Sequence, residues 1–437
     1  MTTTIFREIF IEPGREGSYF TVPFPIDEEA ARLTIRYDYA RYDHSEQGME
    51  TGIFYSEPEM NIIDLGLIAP DGTQIGASGS DKVEIQVSEA YATPGYTPCR
   101  LVSGEWQILV GAYHVAPEGC RVSYEITLEE KRMQLLKGDL HIHTLASDGC
   151  LSPAELAQRA RRHGMDFLAI TDHNQMSTRA SLPEVPGVTL IPGVEWTHFR
   201  GHASFLGVDK PYDWTFAANT PEEALERFQS ARQRGALIIM DHPFEPPWQF
   251  QFDLDIFPYD CLEVWNGPMR EHNLRALANW QNMLTTGKKI PICGGSDYHC
   301  DTPFIFPGGP TTCVHSMSPG VSDILDGVRQ GHAYVTFSPK GPSVELTAGD
   351  GISGDTVAWS GVKQLHIAAN GLEAGDVLRV VTQAGAKVLL QAPTRGRVKL
   401  DYSMDKPGFA RVEILRVFIP GIPMLPALLS NPIYFED

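Results

Sequence analysis

Between residues 137 and 340, short apolar runs end one after another on histidines and carboxylates, and this restricts the fold more than any other feature. The series is His141-Ile142-His143, Ser147-Asp148-Gly149, Thr171-Asp172-His173, Glu195, Gly201-His202, Asp241-His242-Pro243 and Asp297-Tyr298-His299. Eleven of the fourteen histidines lie in this stretch. A short apolar run bounded by turn signals reads as a buried strand. Imidazole and carboxylate groups just past such strands have little packing role. They suit the C-terminal mouth of a barrel, where strand ends distant in sequence converge.

Helical stretches alternate with these runs, the signature of an α/β unit series. Ser152-Pro153-Ala154-Glu155 supplies an N-cap, a proline at the first helical position and a capping-box glutamate; Thr220-Pro221-Glu222-Glu223 repeats the device. Gly164 and Gly235 are placed to close these helices. Strands are expected at 138–143, 167–171, 189–194, 203–208, 236–240, 261–264, 290–293 and 333–337. Seven or so strands with intervening helices predict a barrel of the TIM type, or a distorted relative, over residues 136–340.

The flanks differ. Residues 1–135 carry apolar runs at 33–37, 62–68, 83–87, 106–110 and 122–128, separated by turns such as Asp71-Gly72 and Pro94-Gly95. They read as a β-sandwich or jelly roll. Residues 341–437 return to β, with runs at 344–346, 362–368, 377–381, 387–390 and 410–417, and read as a small β-sandwich domain. At 437 residues two or three domains are expected. The formal charge of −20 disfavours duplex nucleic acid as a partner. It leaves room for an anionic small molecule, since bound cations reverse the local potential. The N-terminus lacks the basic and apolar regions of a signal peptide. No window reads as a membrane span, and seven cysteines without Cys-x-x-Cys argue against a disulfide framework. A cytoplasmic location is expected.

The residue types define the chemistry. His141 and His143 are two apart on a strand, so both imidazoles share a face and can grip one ion. Asp148 lies in the following loop. His173 ends one apolar run, with Asp172 either a ligand or an acceptor that orients a ligating histidine. Glu195 ends another, and a carboxylate can bridge two cations. His202 is preferred to His198 for the next place because it leads a strand. His242 and the pair Asp297 and His299 complete a series that clusters as metal ligands do. Mixed imidazole and carboxylate ligation suits zinc, manganese or iron. Two or three such ions would activate water and polarise an ester, with Asp297, His299 or His173 handling the leaving-group proton.

The ordered set resembles the PHP (polymerase and histidinol phosphatase) domain of metal-dependent hydrolases over roughly residues 137–340. The Gly201-His-Ala-Ser-Phe-Leu-Gly207 segment, the Asn431-Pro-Ile-Tyr434 ending and the β-rich N-terminal region resemble its CehA/McbA-type (carbaryl hydrolase-like) branch. The resemblance implies a distorted (β/α)7 barrel with up to three metals. It would give one ion His141, His143, Glu195 and Asp297. A second would share Glu195 and add His202 and His242, and a third would take Asp148, His173 and His299. Asp148 stands where some relatives carry histidine.

Three functions follow. The first is a metal-dependent phosphoesterase acting on a small phosphate ester or nucleotide. The second is a carbamate, ester or amide hydrolase using the same ions. The third is a non-catalytic module with a closed structural metal site. Basic side chains around the ligands favour phosphate, and an apolar aromatic pocket favours a carbamate. Arg200, Arg270 and Lys340 are the basic candidates, against a reading as solvated charge. Trp196, Trp248 and Trp265 are the aromatic candidates, against a reading as core. Cys293 and Cys300 are expected to be buried, His315 and His332 structural, and His163 and His272 on helix surfaces. The flanking β domains show no chemistry of their own.

Overall fold

The structure, a computed structural model, describes residues 2–42 and 59–436. It divides into two compact units, Met1–Arg132 and Met133–Asp437. In the first, two four-stranded antiparallel sheets share one core. One contains Thr2–Ile11, Cys120–Glu130, Ala30–Tyr39 and Glu84–Val87. The other contains Ser18–Ile26, Gly104–His114, Ile62–Ile68 and Gln74–Ser78. Alternate residues of Ala30–Tyr39, such as Leu33, Ile35 and Tyr37, are buried. That period of two is what a half-buried strand requires.

The second unit holds the histidine series. A five-stranded sheet runs Gly193–His198, Gly201–Leu206, Leu237–Asp241, Cys261–Asn266, Ile292–Gly295, with its first three strands antiparallel and its last three parallel. A longer sheet begins with the parallel strands Thr189–Ile191, Phe167–Ile170 and Gln134–Ile142, then continues through the antiparallel Thr311–Ser316 and Ala333–Thr336. Two isolated parallel bridges, Ile142 to Tyr298 and His173 to Glu195, join the two sheets. They carry the bonds His143 N–H to Tyr298 O (3.0 Å), Asp297 N–H to His141 O (2.9 Å) and Asn174 N–H to Glu195 O (2.9 Å). Both seams therefore fall on the histidine series.

The regular alternation of seven strands and seven helices is absent. Four α-helices occur among the described residues: α1 (Pro153–His163), α2 (Pro221–Gln233), α3 (Glu271–Thr285) and α4 (Val321–Arg329). Gly193–His198 and Gly201–Leu206 are separated only by Phe199 and Arg200, so they form a hairpin with no room for a crossover helix. The expected strand at 189–194 splits at Pro192, and its second half pairs in the other sheet. The Thr311–Ser316 strand was not expected.

Residues 341–437 fall within the second compact unit. Ala333–Thr336 pairs antiparallel with Leu425–Ser430, so Leu425–Ser430, Gly408–Arg416, Val377–Thr382 and Gly385–Gln391 extend the same sheet, while Gly351–Ile352, Ser343–Ala348, Lys363–Leu372 and Gly396–Met404 form a separate four-stranded sheet. Asn431 reinforces the junction: its side-chain amide donates to the carbonyls of Ile292 (3.1 Å) and Ala333 (3.0 Å), and its Oδ1 accepts from Ile292 N–H (2.8 Å). Among the described residues no helix is long and apolar enough to cross a membrane.

Helix α1 has the capping box read from sequence: the Ser152 hydroxyl accepts from Glu155 N–H, and the Glu155 carboxylate accepts from Ser152 N–H. Gly164 closes it at φ 75°. Helix α2 keeps only half of the device. Thr220 accepts from Glu223 N–H, but the Glu223 carboxylate takes Asn219 N–H instead. In α4 Val321, Ile324, Leu325 and Val328 share one buried face. Burying each contributes about 1.5–3 kcal/mol.

Candidate metal centre

Strand ends carry most of the site. His141 and His143 extend from Gln134–Ile142, two residues apart and on one face. Glu195 and His202 lie on the two strands of the hairpin, diagonally placed, with Glu195 opposite Ser204 and His202 opposite Thr197. His242 follows Leu237–Asp241, and Asp297 lies just past Ile292–Gly295. His242 has φ 26° and Asp297 φ 50°. Such left-handed backbone is costly for residues with a side chain and clusters at functional sites. Gly295 has no alternative: a Cβ there would lie 2.3 Å from His141 Cβ and 2.7 Å from Glu263 Oε1.

The structure brings all nine sequence candidates together. Glu195, fully buried, is ringed by five imidazoles. Its Oε2 lies 2.6 Å from His173 Nδ1 and 3.5 Å from His143 Nε2. Its Oε1 lies 2.8 Å from His202 Nδ1, 3.5 Å from His242 Nε2 and 3.6 Å from His141 Nε2. Asp297 Oδ1 sits 3.0 Å from His143 Nε2, 3.5 Å from His141 Nε2 and 3.6 Å from His299 Nδ1. At the solvent side Asp148 Oδ1 is 3.3 Å from His299 Nε2 and 3.6 Å from His173 Nε2. Glu195, His202 and His242 offer one set of converging ligand atoms, and His143, Asp148, His173 and His299 another.

Charge in this cluster is tightly coupled. Burial opposes charge on His141, but Asp297, Glu263, Asp241 and Glu195 outweigh it and raise its pKa well above the ordinary value. Burial wins at His143, whose pKa falls. Burial alone would raise the carboxyl of Glu195; His141, His173 and His202 instead hold it well below its usual range. Asp297 is likewise held down, by His141, His143 and His242 against its burial. His242 is also buried, but Glu195 and the other carboxylates lift it to about 9.

Several buried atoms lack any hydrogen-bond partner: His141 Nε2, both nitrogens of His143, Glu195 Oε1, both nitrogens of His202 and His242 Nδ1. His202 Nδ1 is close to Glu195 but not aligned to bond with it. Each unpaired buried polar atom costs about 1–3 kcal/mol. A divalent cation is the guest that so many inward-facing lone pairs fit.

Supporting residues include several that the sequence reading passed over. Glu263 Oε1 lies 3.2 Å from His141 Nδ1, while its Oε2 accepts from His242 N–H (2.9 Å) and Asn266 Nδ2 (3.1 Å). The available signal was a carboxylate in the middle of an apolar strand, Cys261-Leu-Glu-Val-Trp-Asn266. Buried Asp139 accepts from the backbone of Ser296 (2.9 Å) and Gly308 (2.7 Å), anchoring the chain before Asp297. Thr197 Oγ1 lies 2.7 Å from His173 Nδ1.

Asp172 bonds to no histidine. Its carboxylate accepts from Thr144 N–H (2.7 Å), Thr144 Oγ1 (2.7 Å) and Ser147 Oγ (2.6 Å), pinning the loop that presents Asp148. His198 points elsewhere, donating from Nε2 to Ala218 O (3.1 Å) and accepting Arg200 N–H at Nδ1 (3.0 Å). Arg200 donates to Gln251 O (3.2 Å) and stacks on Phe252, and Arg270 lies 3.7 Å from Glu245. Trp196 and Trp265 are core, with 0% and 2% exposure, whereas Trp248 is 50% exposed. Cys293 is buried as expected, but Cys300 is exposed. His272, expected at a surface, is buried on α3 and lies 3.9 Å from Glu245.

Residues 139–243 match the PHP domain. The uncharacterised protein MJ1587 of Methanocaldococcus jannaschii is 30% identical over 156 residues, which are 31% of this chain and 85% of that protein. The chain thus contains a PHP domain. It is 37% identical over 107 residues to the 5'-3' exoribonuclease Rnm of Escherichia coli (22% of this chain, 36% of the relative). It is 34% identical over 107 residues to a 3',5'-nucleoside bisphosphate phosphatase of Chromobacterium violaceum (23% and 37%). The chain thus spans little more than a third of the length of these two relatives.

Proposed function

We propose that this chain is a metal-dependent hydrolase, a PHP-type phosphoesterase whose substrate is a small phosphate ester or nucleotide. The observation that carries the reading is Glu195, a fully buried carboxylate among five imidazoles, several with unpaired nitrogens facing inward. The exoribonuclease and the nucleoside bisphosphate phosphatase named above act on RNA or nucleotides, which supports the substrate class.

His141, His143, Glu195 and Asp297 would hold one ion, and Glu195, His202 and His242 a second. Asp148, His173 and His299 would hold a third. Zinc, manganese or iron fits these donors. Bound there, such ions supply a water of lowered pKa and a Lewis acid for the ester oxygen. The protein's own groups divide into two sets. The inner imidazoles and Glu195 are sealed from solvent and fix the charge balance. His173 and His299, with side chains 28% and 33% exposed, can exchange a proton with water and deliver it to a leaving group. Asp297, held ionised, has no proton to give to a leaving group.

The seams at Ile142–Tyr298 and His173–Glu195 support reading the two sheets as a distorted seven-stranded barrel, with the site at its mouth. The CehA/McbA-type placement belongs to the same proposal. So does a cytoplasmic location.

A second reading, a carbamate or ester hydrolase, is favoured by one observation: the half-exposed Trp248 beside His202. The test compares p-nitrophenyl phosphate, bis-p-nitrophenyl phosphate and an aryl carbamate on manganese- or zinc-loaded protein, beside the His141→Ala/His143→Ala double variant. Phosphate ester turnover that vanishes in the variant is expected. Equal activity in both proteins would overturn the metal reading, and turnover of the carbamate alone would select the second one.

A further inference from the structure

Seven tryptophans occur in the chain: five are anchored by an indole hydrogen bond, Trp359 packs edge-on against buried Phe435, and Trp248 stands half-exposed against an imidazole. Trp106, Trp196, Trp214, Trp265 and Trp280 each donate an indole hydrogen bond of 2.7–3.1 Å to a carbonyl or hydroxyl oxygen. These are anchored structural rings. For Trp248 the structure gives one aromatic partner, the imidazole of His202, with centroids 5.9 Å apart and planes within 28° of parallel. His202 is itself 6% exposed and lies against Glu195. Half of the surface of Trp248 thus remains open beside His202, one of the residues of the candidate metal centre.

The loop holding Trp248 is not loose. Phe250 N–H donates to Pro243 O (2.9 Å), closing the segment 243–250 just after His242. Gln251 N–H then donates to Arg200 O (2.8 Å) at the hairpin tip. Gly201, at φ 130°, makes the seating possible: a Cβ there would lie 2.5 Å from the Phe250 ring and 2.7 Å from its Cα. The loop is therefore tied at one end to His242 and at the other to the hairpin that carries His202. A large, half-exposed amphipathic ring held in a pinned loop offers an open face on which a planar group can stack.

We propose that Trp248 is the stacking platform for the planar group of the substrate, an aryl ring or a nucleobase, on the His202 side of the centre. This rests on the hydrolase reading above and narrows its substrate class to esters with an aromatic portion. Trp248 is a specificity residue: it grips the part of the substrate remote from the reacting bond.

The test measures binding of adenosine 5'-monophosphate, phenyl phosphate and ribose 5-phosphate by calorimetry. Tryptophan fluorescence is the second readout, on metal-loaded and metal-free protein. Base stacking on an aromatic side chain is typically worth about ten-fold or more in affinity. Wild type is expected to prefer the two aromatic ligands over ribose 5-phosphate by about that factor, with fluorescence quenching by the aromatic pair. Trp248→Ala should erase the preference and the quenching while leaving ribose 5-phosphate affinity unchanged; Trp248→Phe should keep most of the preference. Comparison of adenosine monophosphate with phenyl phosphate distinguishes a nucleobase from a simple aryl group. Equal weakening of all three ligands in Trp248→Ala would reduce the ring to a support for His202 and overturn the proposal. So would a wild type without aromatic preference. Aromatic preference in binding with no phosphate ester hydrolysed would instead remove the phosphoesterase reading and leave the platform standing.

Discussion

Two clusters of buried charge lie in the second unit, and they are built on opposite plans. In the later strands Arg411 and Glu413 are almost fully buried, side by side on one face. Arg411 donates from Nη1 to Glu413 Oε1 (2.6 Å) and from Nε and Nη2 to Gln281 Oε1 (3.1 and 2.8 Å). It also lies over the Trp280 ring (4.7 Å), and Arg379 donates to Glu413 Oε2 (2.7 Å). That cluster satisfies itself. Around Glu195, by contrast, imidazole nitrogens meet carboxylates at awkward distances and several atoms have no partner at all. A cluster complete without a guest serves structure; one that is incomplete without a guest marks a binding site.

The comparison can be broken at either end. Replacing His141 and His143 with alanine should abolish metal retention, read by elemental analysis, and reduce hydrolysis on the order of a thousand-fold or more, with the circular dichroism spectrum unchanged. Arg411→Ala should do the reverse. It leaves Glu413 in the core with Arg379 as its remaining partner and should cost about 3 kcal/mol in denaturant unfolding, with metal content unaltered. A centre that binds metal as tightly after the double substitution would erase the proposed distinction.

Smaller effects sharpen it. Adding divalent metal at a hundred times its Kd should stabilise the protein by about 2.7 kcal/mol, and chelation should reverse this; a thermal midpoint indifferent to metal would count against the site. Glu263→Gln keeps the shape but removes the negative charge beside His141. It should weaken metal binding by about 10–100-fold, measured by competition with a chelator. The smallest effect is in acid. Burial would raise the carboxyl of Glu413, but Arg411 and Arg379 hold it below its ordinary 4.5. A depressed carboxylate contributes stability above that value and loses it as pH falls through its folded pKa. Stability should therefore fall more steeply below about pH 4.5 in wild type than in Glu413→Gln, and parallel acid limbs would show that the pair is not the cause.

Much of the candidate site was legible because strand alternation and strand ends are written locally. His141 and His143 had to share a face, and an apolar run ending in Glu195 or His242 had to present it at a sheet edge. What could not be read were contacts between distant residues. Glu263 looked like one acid in one strand until folding set it beside His141. Asp172 sat in the most suggestive motif, yet its partners proved to be Thr144 and Ser147, close by in the following loop of another strand. Trp196, Trp248 and Trp265 were alike as letters; exposure alone separated Trp248 from the two core rings.

The amino-acid order by itself determined the identity and sequence of the ligand types, the α1 cap and the all-β character of the first unit, because these depend on short-range periodicity and local hydrogen bonds. Tertiary structure decided that a hairpin replaces a helical crossover after Glu195, and that some strands beyond Lys340 extend an existing sheet while others form a separate one. It also decided which buried polar atoms are left unpaired. Those outcomes depend on long-range pairing, where the free energy belongs to two segments together and neither carries the answer alone.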